Sequence, residues 1–316
     1  AMQLCPHPIL VKGTRGEYSR YSRWVTDIIA SKAPLFEKAS IDEFYIDLTG
    51  MDKFFDPYQW TIDLRKQIIE ETELPISFGL SSNKMISKIA TDEAKPNGYL
   101  FVQQFLAPLP VNKFSGVGEQ TFLKLKLMGI HLIGDILKYD VRDLEKELGK
   151  WGVDLYTKAQ GINTSIVAPY REAKSISNEN TFEENINNVE SLLREIVRMT
   201  EKVGFELRQD GKWTGCIAVK IRYPDFETTQ KQTTIDYTFS DEDLIPAAIS
   251  LFHKLWRKGK PVRLLGVRVS EFTNQSVQSN LFEDVTKKTN LYKAIDDVKN
   301  KYGKTSLQKA RVISKQ

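Results

Sequence analysis

Between residues 174 and 272 the chain changes periodicity four times, and that order constrains the fold more than any other feature. Segments 174–184, 213–223, 228–239 and 261–272 are rich in branched and aromatic residues and read as strands. Segments 187–208 and 243–258 carry apolar residues at helical spacing. Strand-helix-strand-strand-helix-strand is the order of the split βαβ, ferredoxin-like motif. Within it, Ile217, Val219, Ile221 and Tyr223 alternate with Cys216, Ala218, Lys220 and Arg222. One sheet face can therefore cover two helices while the other presents cations.

The first hundred residues alternate differently. Tyr21, Trp24, Val25, Ile28 and Ile29 predict a helix over 17–33 that stops before Pro34. A strand enters at about Phe36 and another follows Glu43. Trp60, Leu64, Ile68 and Ile69 mark a helix over 58–74; a strand over 75–82 and a helix over 83–94 follow, closed by Lys95-Pro96-Asn97-Gly98. Residues 106–168 change character to short helices punctuated by glycine, and 169–177 read as a linker. The expected class is α+β: a mixed region over 1–105, a helical region over 106–168, the βαββαβ unit over 178–275, and a tail over 276–316.

The two cysteines, Cys5 and Cys216, and the three histidines are isolated, which excludes a disulfide framework or a zinc module. No apolar run reaches the ~18–20 residues of a membrane span, and no signal-peptide pattern opens the chain, so a cytoplasmic setting is expected. Residues 276–316 hold 9 Lys and Arg against 4 Asp and Glu, a local excess of +5 in a chain whose net charge is +4. Such a tail either solubilises or meets an acidic partner.

Asp42 and Glu43 stand together where a strand should begin, with Asp47 inside it. Adjacent side chains on a strand point to opposite faces, so these two acids can converge only at a start, bend or turn. Converged carboxylates repel unless a cation intervenes, and Mg²⁺ with hard oxygen ligands is suited to that place. By itself the dipeptide is more often a solvated pair at a loop edge. Lys84, Lys88 and Lys95, on or just after the 83–94 helix, are point charges suited to phosphate.

The stretches SIDEFYIDLTG and GLSSNKMISKIATDEAKPNG, in this order and separation, resemble the catalytic palm of Y-family translesion DNA polymerases of the DNA polymerase IV type. The resemblance implies that Asp42 and Glu43 bind two Mg²⁺ ions and that Lys95 contacts the incoming deoxynucleoside triphosphate. It makes the helical region a thumb whose Gly116, Val117 and Gly118 form a helix-hairpin-helix on DNA phosphate. It makes the βαββαβ unit a little finger, with Arg171, Lys174, Ser175, Ser177, Lys220, Arg222, Arg263 and Arg268 as phosphate contacts on primer-template DNA. Arg263 and Arg268, five residues apart, cannot both face DNA in an unbroken strand. Gln278, Leu281 and Phe282 resemble a sliding-clamp-docking peptide. The family's first metal-binding aspartate and its fingers segment have no counterpart here. The expectation is a monomeric, shortened and weakly active polymerase; the alternative is a noncatalytic module that binds DNA and the clamp.

Overall fold

The computed structural model describes residues 5–9, 11, 13–14, 16–102, 106–169, 172–274 and 285–310. The chain forms two compact units, Ala1–Arg171 and Glu172–Gln316.

In the first unit, α1 (Glu17–Lys32) and α2 (Pro57–Thr72) pack through Val25, Ile28 and Ile29 against Leu64 and Ile68. Trp24, expected on the buried face of α1, is 40% exposed, and Ser22 is buried instead. Asp56 caps α2 by accepting from the Tyr58 N–H, with Pro57 in the first turn, where its missing donor costs nothing. Strands β1 (Leu35–Lys38) and β2 (Phe44–Asp47) pair antiparallel as a hairpin. Strands β3 (Phe78–Ser81) and β4 (Tyr99–Val102) pair parallel, joined by α3 (Lys84–Glu93), whose N-terminus Asn83 caps.

Four short helices follow: α4 (Glu119–Leu127), α5 (Ile133–Ile136), α6 (Val141–Leu148) and α7 (Lys150–Ala159). Their core joins Leu125, Ile130, Ile133, Ile136, Leu144 and Leu155 to Ile86 and Ile89 of α3. Helix α3 thus belongs both to the region bearing the acids and to the helical region.

The second unit holds β5 (Ser175–Ile186), α8 (Val189–Gln209), β6 (Trp213–Arg222), β7 (Thr228–Thr238), α9 (Asp241–Leu255) and β8 (Val262–Thr273). The sheet order is β5-β8-β6-β7, every pair antiparallel. Each helix therefore joins two parallel strands with one strand of the other pair between them. Ile217, Val219 and Ile221 of β6 and Leu265, Val267 and Val269 of β8 share one buried cluster with Leu192, Ile196, Met199, Leu244, Leu251 and Phe252 of the two helices. Strand β5 starts at Ser175, within a residue of the segment read as strand, and the linker reading of 175–177 gives way to it, because Ser175, Ile176 and Ser177 already pair with Ser270, Val269 and Arg268.

The described part of the tail is not a free basic extension. Helix α10 (Val285–Tyr302) packs on this unit with Tyr292, Asp296 and Lys299 buried. Asp296 takes a two-pronged ion pair from Arg208 of α8, at 2.7 and 3.1 Å, and Arg208 also reaches Asp241 at 2.9 Å. Burial works against the Arg208 charge, but the hydrogen bond to Asp296 and the Asp241 carboxylate outweigh it. Among the described residues no helix is long and apolar enough to cross a membrane.

Candidate active site and sheet surface

The β1–β2 hairpin solves the problem of the adjacent acids. Its turn is closed by the Ala39 and Ser40 N–H groups, both donating to the Glu43 carbonyl at 2.9 and 3.2 Å. Asp42 lies in that turn and Glu43 directly precedes β2, so neither obeys strand alternation. Asp42 is exposed, and its Oδ1 accepts from the Ser40 hydroxyl at 2.6 Å. Helix α1 braces the turn from beneath, with the Ser22 hydroxyl donating to the Ile41 carbonyl. Asp47 has a local task at the other end of β2. Its Oδ1 accepts from the Thr49 N–H at 2.9 Å and from the Thr49 hydroxyl at 2.6 Å, an Asx-type turn that ends the strand.

A chain of alternating charge leads away from Glu43. Lys88 donates to Glu43 Oε1 and lies 3.5 Å from Asp92 Oδ1; Lys95 donates to that same oxygen at 2.8 Å. Burial lowers the pKa of Lys88, but the bond to Glu43 and the charges of Asp92 and Glu43 together raise it above the ordinary lysine value. Burial raises Asp92 in turn, yet Lys95 and Lys88 hold its carboxyl below the ordinary range. Burial also pushes the nearby Tyr45 hydroxyl upward. Arg65 of α2 fixes the turn that carries Lys95: it donates to the Ile76 carbonyl at 2.8 Å and to the Asn97 carbonyl and Oδ1 at 2.7 Å each. Lys84 is drawn off elsewhere, 2.6 Å from Glu37 and over the Tyr45 ring. Of the three lysines expected to serve phosphate, two are therefore engaged by carboxylates of the β1–β2 hairpin.

The glycine-rich turn presents backbone. Phe114 is 2% exposed and anchors the turn, Val117 packs on the core, and Ser115, Gly116 and Gly118 are exposed. Gly116 has φ +95, a conformation that disfavours any other residue. Gly118 precedes α4 as its N-cap and offers no side-chain acceptor to the first-turn N–H groups.

On the second unit, strand register sorts the cation candidates. Ser177, Arg268, Ala218 and Gln232 form one row across the sheet; Glu179, Gly266, Lys220 and Gln230 form the next; Thr181, Leu264, Arg222 and Thr228 the third. Ser175, Ser177, Lys220, Arg222 and Arg268 thus share the face opposite α8 and α9, and exposed Lys174 immediately precedes β5. Cys216 and Ala218 lie on that face too but are 2% exposed. Lys220 is paired with Glu179, whose side chain crosses β8 over Gly266. A Cβ at Gly266 would stand 2.8 Å from Glu179 Cγ, so a side chain there would push the crossing Glu179 aside. Arg222 donates to the Thr228 hydroxyl at 2.8 Å; Arg268 reaches Gln232 at 3.3 Å while its buried Nε has no partner. Arg263 has the opposite parity to Arg268, and its guanidinium lies over the Phe226 ring at 5.0 Å.

Arg171, Gln278, Leu281 and Phe282 lie outside the described residues. The residues that sequence reasoning passed over are Glu37 and Asp92. Asp92 had a local signal, four residues after Lys88 and three before Lys95; Glu37, 47 residues from Lys84, had none.

The impB/mucB/samB family profile matches residues 1–92, and the profile of that family's C-terminal domain matches residues 173–281. DNA polymerase IV of Clostridium kluyveri is 32% identical over 333 residues, covering 99% of this chain and 83% of the relative. DNA polymerase IV of Lactococcus lactis subsp. cremoris is 35% identical over 283 residues, covering 86% and 77%. The solved Y-family DNA polymerase chimera Dbh-Dpo4(243-245)-Dbh superimposes with a TM-score of 0.73 at 24% identity, covering 87% of this chain and 81% of that one. DinB from Sulfolobus solfataricus does so at 0.54 and 24%, covering 85% and 81%. At that identity the two structures speak for the fold, and the curated relatives and profiles for the family. Acids on a hairpin turn, a lysine after the third helix and a cationic sheet face thus sit in a chain that belongs to the impB/mucB/samB family of Y-family DNA polymerases.

Proposed function

We propose that this chain adds deoxynucleotides to a primer 3′ end on a DNA template, with Asp42 and Glu43 as the metal-holding carboxylates and Lys95 as the triphosphate contact. The observation that carries the reading is the β1–β2 turn, which bears both acids, with Asp42 exposed and Glu43 tied into one charge chain with Lys95. The donor set fits Mg²⁺, which is usually held by one or two carboxylates completed by water and substrate phosphates. Among the described residues no group of three or more His, Cys, Asp or Glu gathers, and the site proposed here has Asp42 and Glu43 as its protein donors. When bound, the two ions of the family mechanism supply Lewis-acid stabilisation of the charge that develops on the transferring phosphoryl group.

The primer 3′-hydroxyl gives its proton to solvent water, and its oxygen bonds the α-phosphorus as the bond to pyrophosphate breaks. Lys95 offsets phosphate charge. The first-turn N–H groups of α4 and the cations of the β5-β8-β6-β7 face would hold duplex phosphates without reading bases. Residues 278–284 keep their reading as a sliding-clamp-docking peptide, and the translesion character follows the family.

The test is Mg²⁺-dependent primer extension by the whole chain and by Asp42→Asn. The variant should lose about 100-fold or more in rate, with DNA affinity unchanged. Equal extension by the variant would sink the assignment. Salt-sensitive DNA binding by the unaltered chain, with no extension at any Mg²⁺ concentration, would favour the noncatalytic module.

A further inference from the structure

Lys95 meets solvent with a partner already in place. Its ammonium sits 2.8 Å from Asp92 Oδ1, and the pair is open, with Asp92 40% and Lys95 55% exposed. Asp92 is the last-turn acid of α3, fixed by the helix, while Arg65 fixes the turn on the far side of Lys95 through Asn97. Both ends of the contact are thus held. The Asp92 carboxylate also has a second cation within reach, Lys88 at 3.5 Å, so it keeps a partner if Lys95 departs. A carboxylate so placed repels the anion that its lysine attracts.

We propose that Asp92 is the resting counter-ion of Lys95, displaced by a phosphate of the incoming nucleotide and then held by Lys88. The nucleotide thus replaces one anion by another. This deepens the reading of Lys95 as a triphosphate contact and rests on it. Because the pair is solvent-exposed, its hold on Lys95 is modest, and its removal is expected to tighten nucleotide binding about fivefold.

The experiment titrates a nonhydrolysable deoxynucleoside triphosphate with Mg²⁺ into the whole chain on primer-template DNA, for the unaltered protein, D92N, K95A and the double variant. D92N is expected to bind about fivefold tighter, with a lower KM and a smaller change in kcat, and the gain should shrink as salt rises. K95A should bind more weakly, and in its background D92N should bring much less. D92A, which removes the charge without an amide, should act in the same direction as D92N. If K95A weakens binding while D92N and D92A leave it unchanged or weaken it, Asp92 is not a competitor and the inference falls, with Lys95 retained. If K95A binds like the unaltered protein, the reading of Lys95 itself falls.

Discussion

The two units bury their strands to different depths. In the first, the four strands are four residues each, and β1, β2 and β3 contain no buried residue. In the second, strands of ten to twelve residues form one sheet, and most of β6 is closed to water. Two-stranded sheets are marginal without helices against them, and α1 and α2 supply that cover to the hairpin. The charges follow the same division. Arg208, Asp241 and Asp296 are buried and locked together, whereas Glu43, Lys88, Asp92 and Lys95 are a quarter to a half exposed. Exposure keeps the cost of desolvation small, so the charges of the first unit can exchange partners; burial makes those of the second fixed struts.

Three substitutions test this contrast. Arg208→Leu removes the guanidinium that joins Asp296 and Asp241 in the second unit and should cost about 3–5 kcal/mol, read as a lower denaturant midpoint for that unit. A loss below that scale would show that this buried charge is no strut. Glu179→Gln frees Lys220 on the sheet face and should raise DNA affinity several-fold while steepening the salt dependence by about one phosphate contact. An unchanged salt slope would place Lys220 away from the backbone. Phe54→Ser, at a residue 79% exposed in the first unit, should move stability by no more than about 0.5 kcal/mol. A larger loss in thermal unfolding would reveal packing that its exposure does not suggest.

Much of this was legible in the sequence wherever partners lie close along the chain. The βαββαβ order follows from local periodicity, and observed β6 and α3 fall within a residue of the segments read as strand and helix. The acid pair was legible for the same reason, since two neighbours that cannot share a strand face demand a turn. The fates of Lys84 and Lys88 were not, because Glu37 and Glu43 lie 47 and 45 residues away and leave no pattern in a short window. Nor was the sheet order, which depends on where each helix crossover sets down its second strand. The exposure of Trp24 belongs with these: helical spacing names a stripe, and the packing of α2 decides how wide a stripe is covered.

The shared oxygen of Asp92 bears on the end of the reaction as well as its start. On the reading of Asp92 as a counter-ion, departing pyrophosphate does not strand Lys95 as a naked cation, because a tethered acid waits within 3 Å of its resting place. Expulsion of the by-product then becomes a swap with a group the enzyme carries itself, and each round of turnover ends with the pocket's electrical account closed.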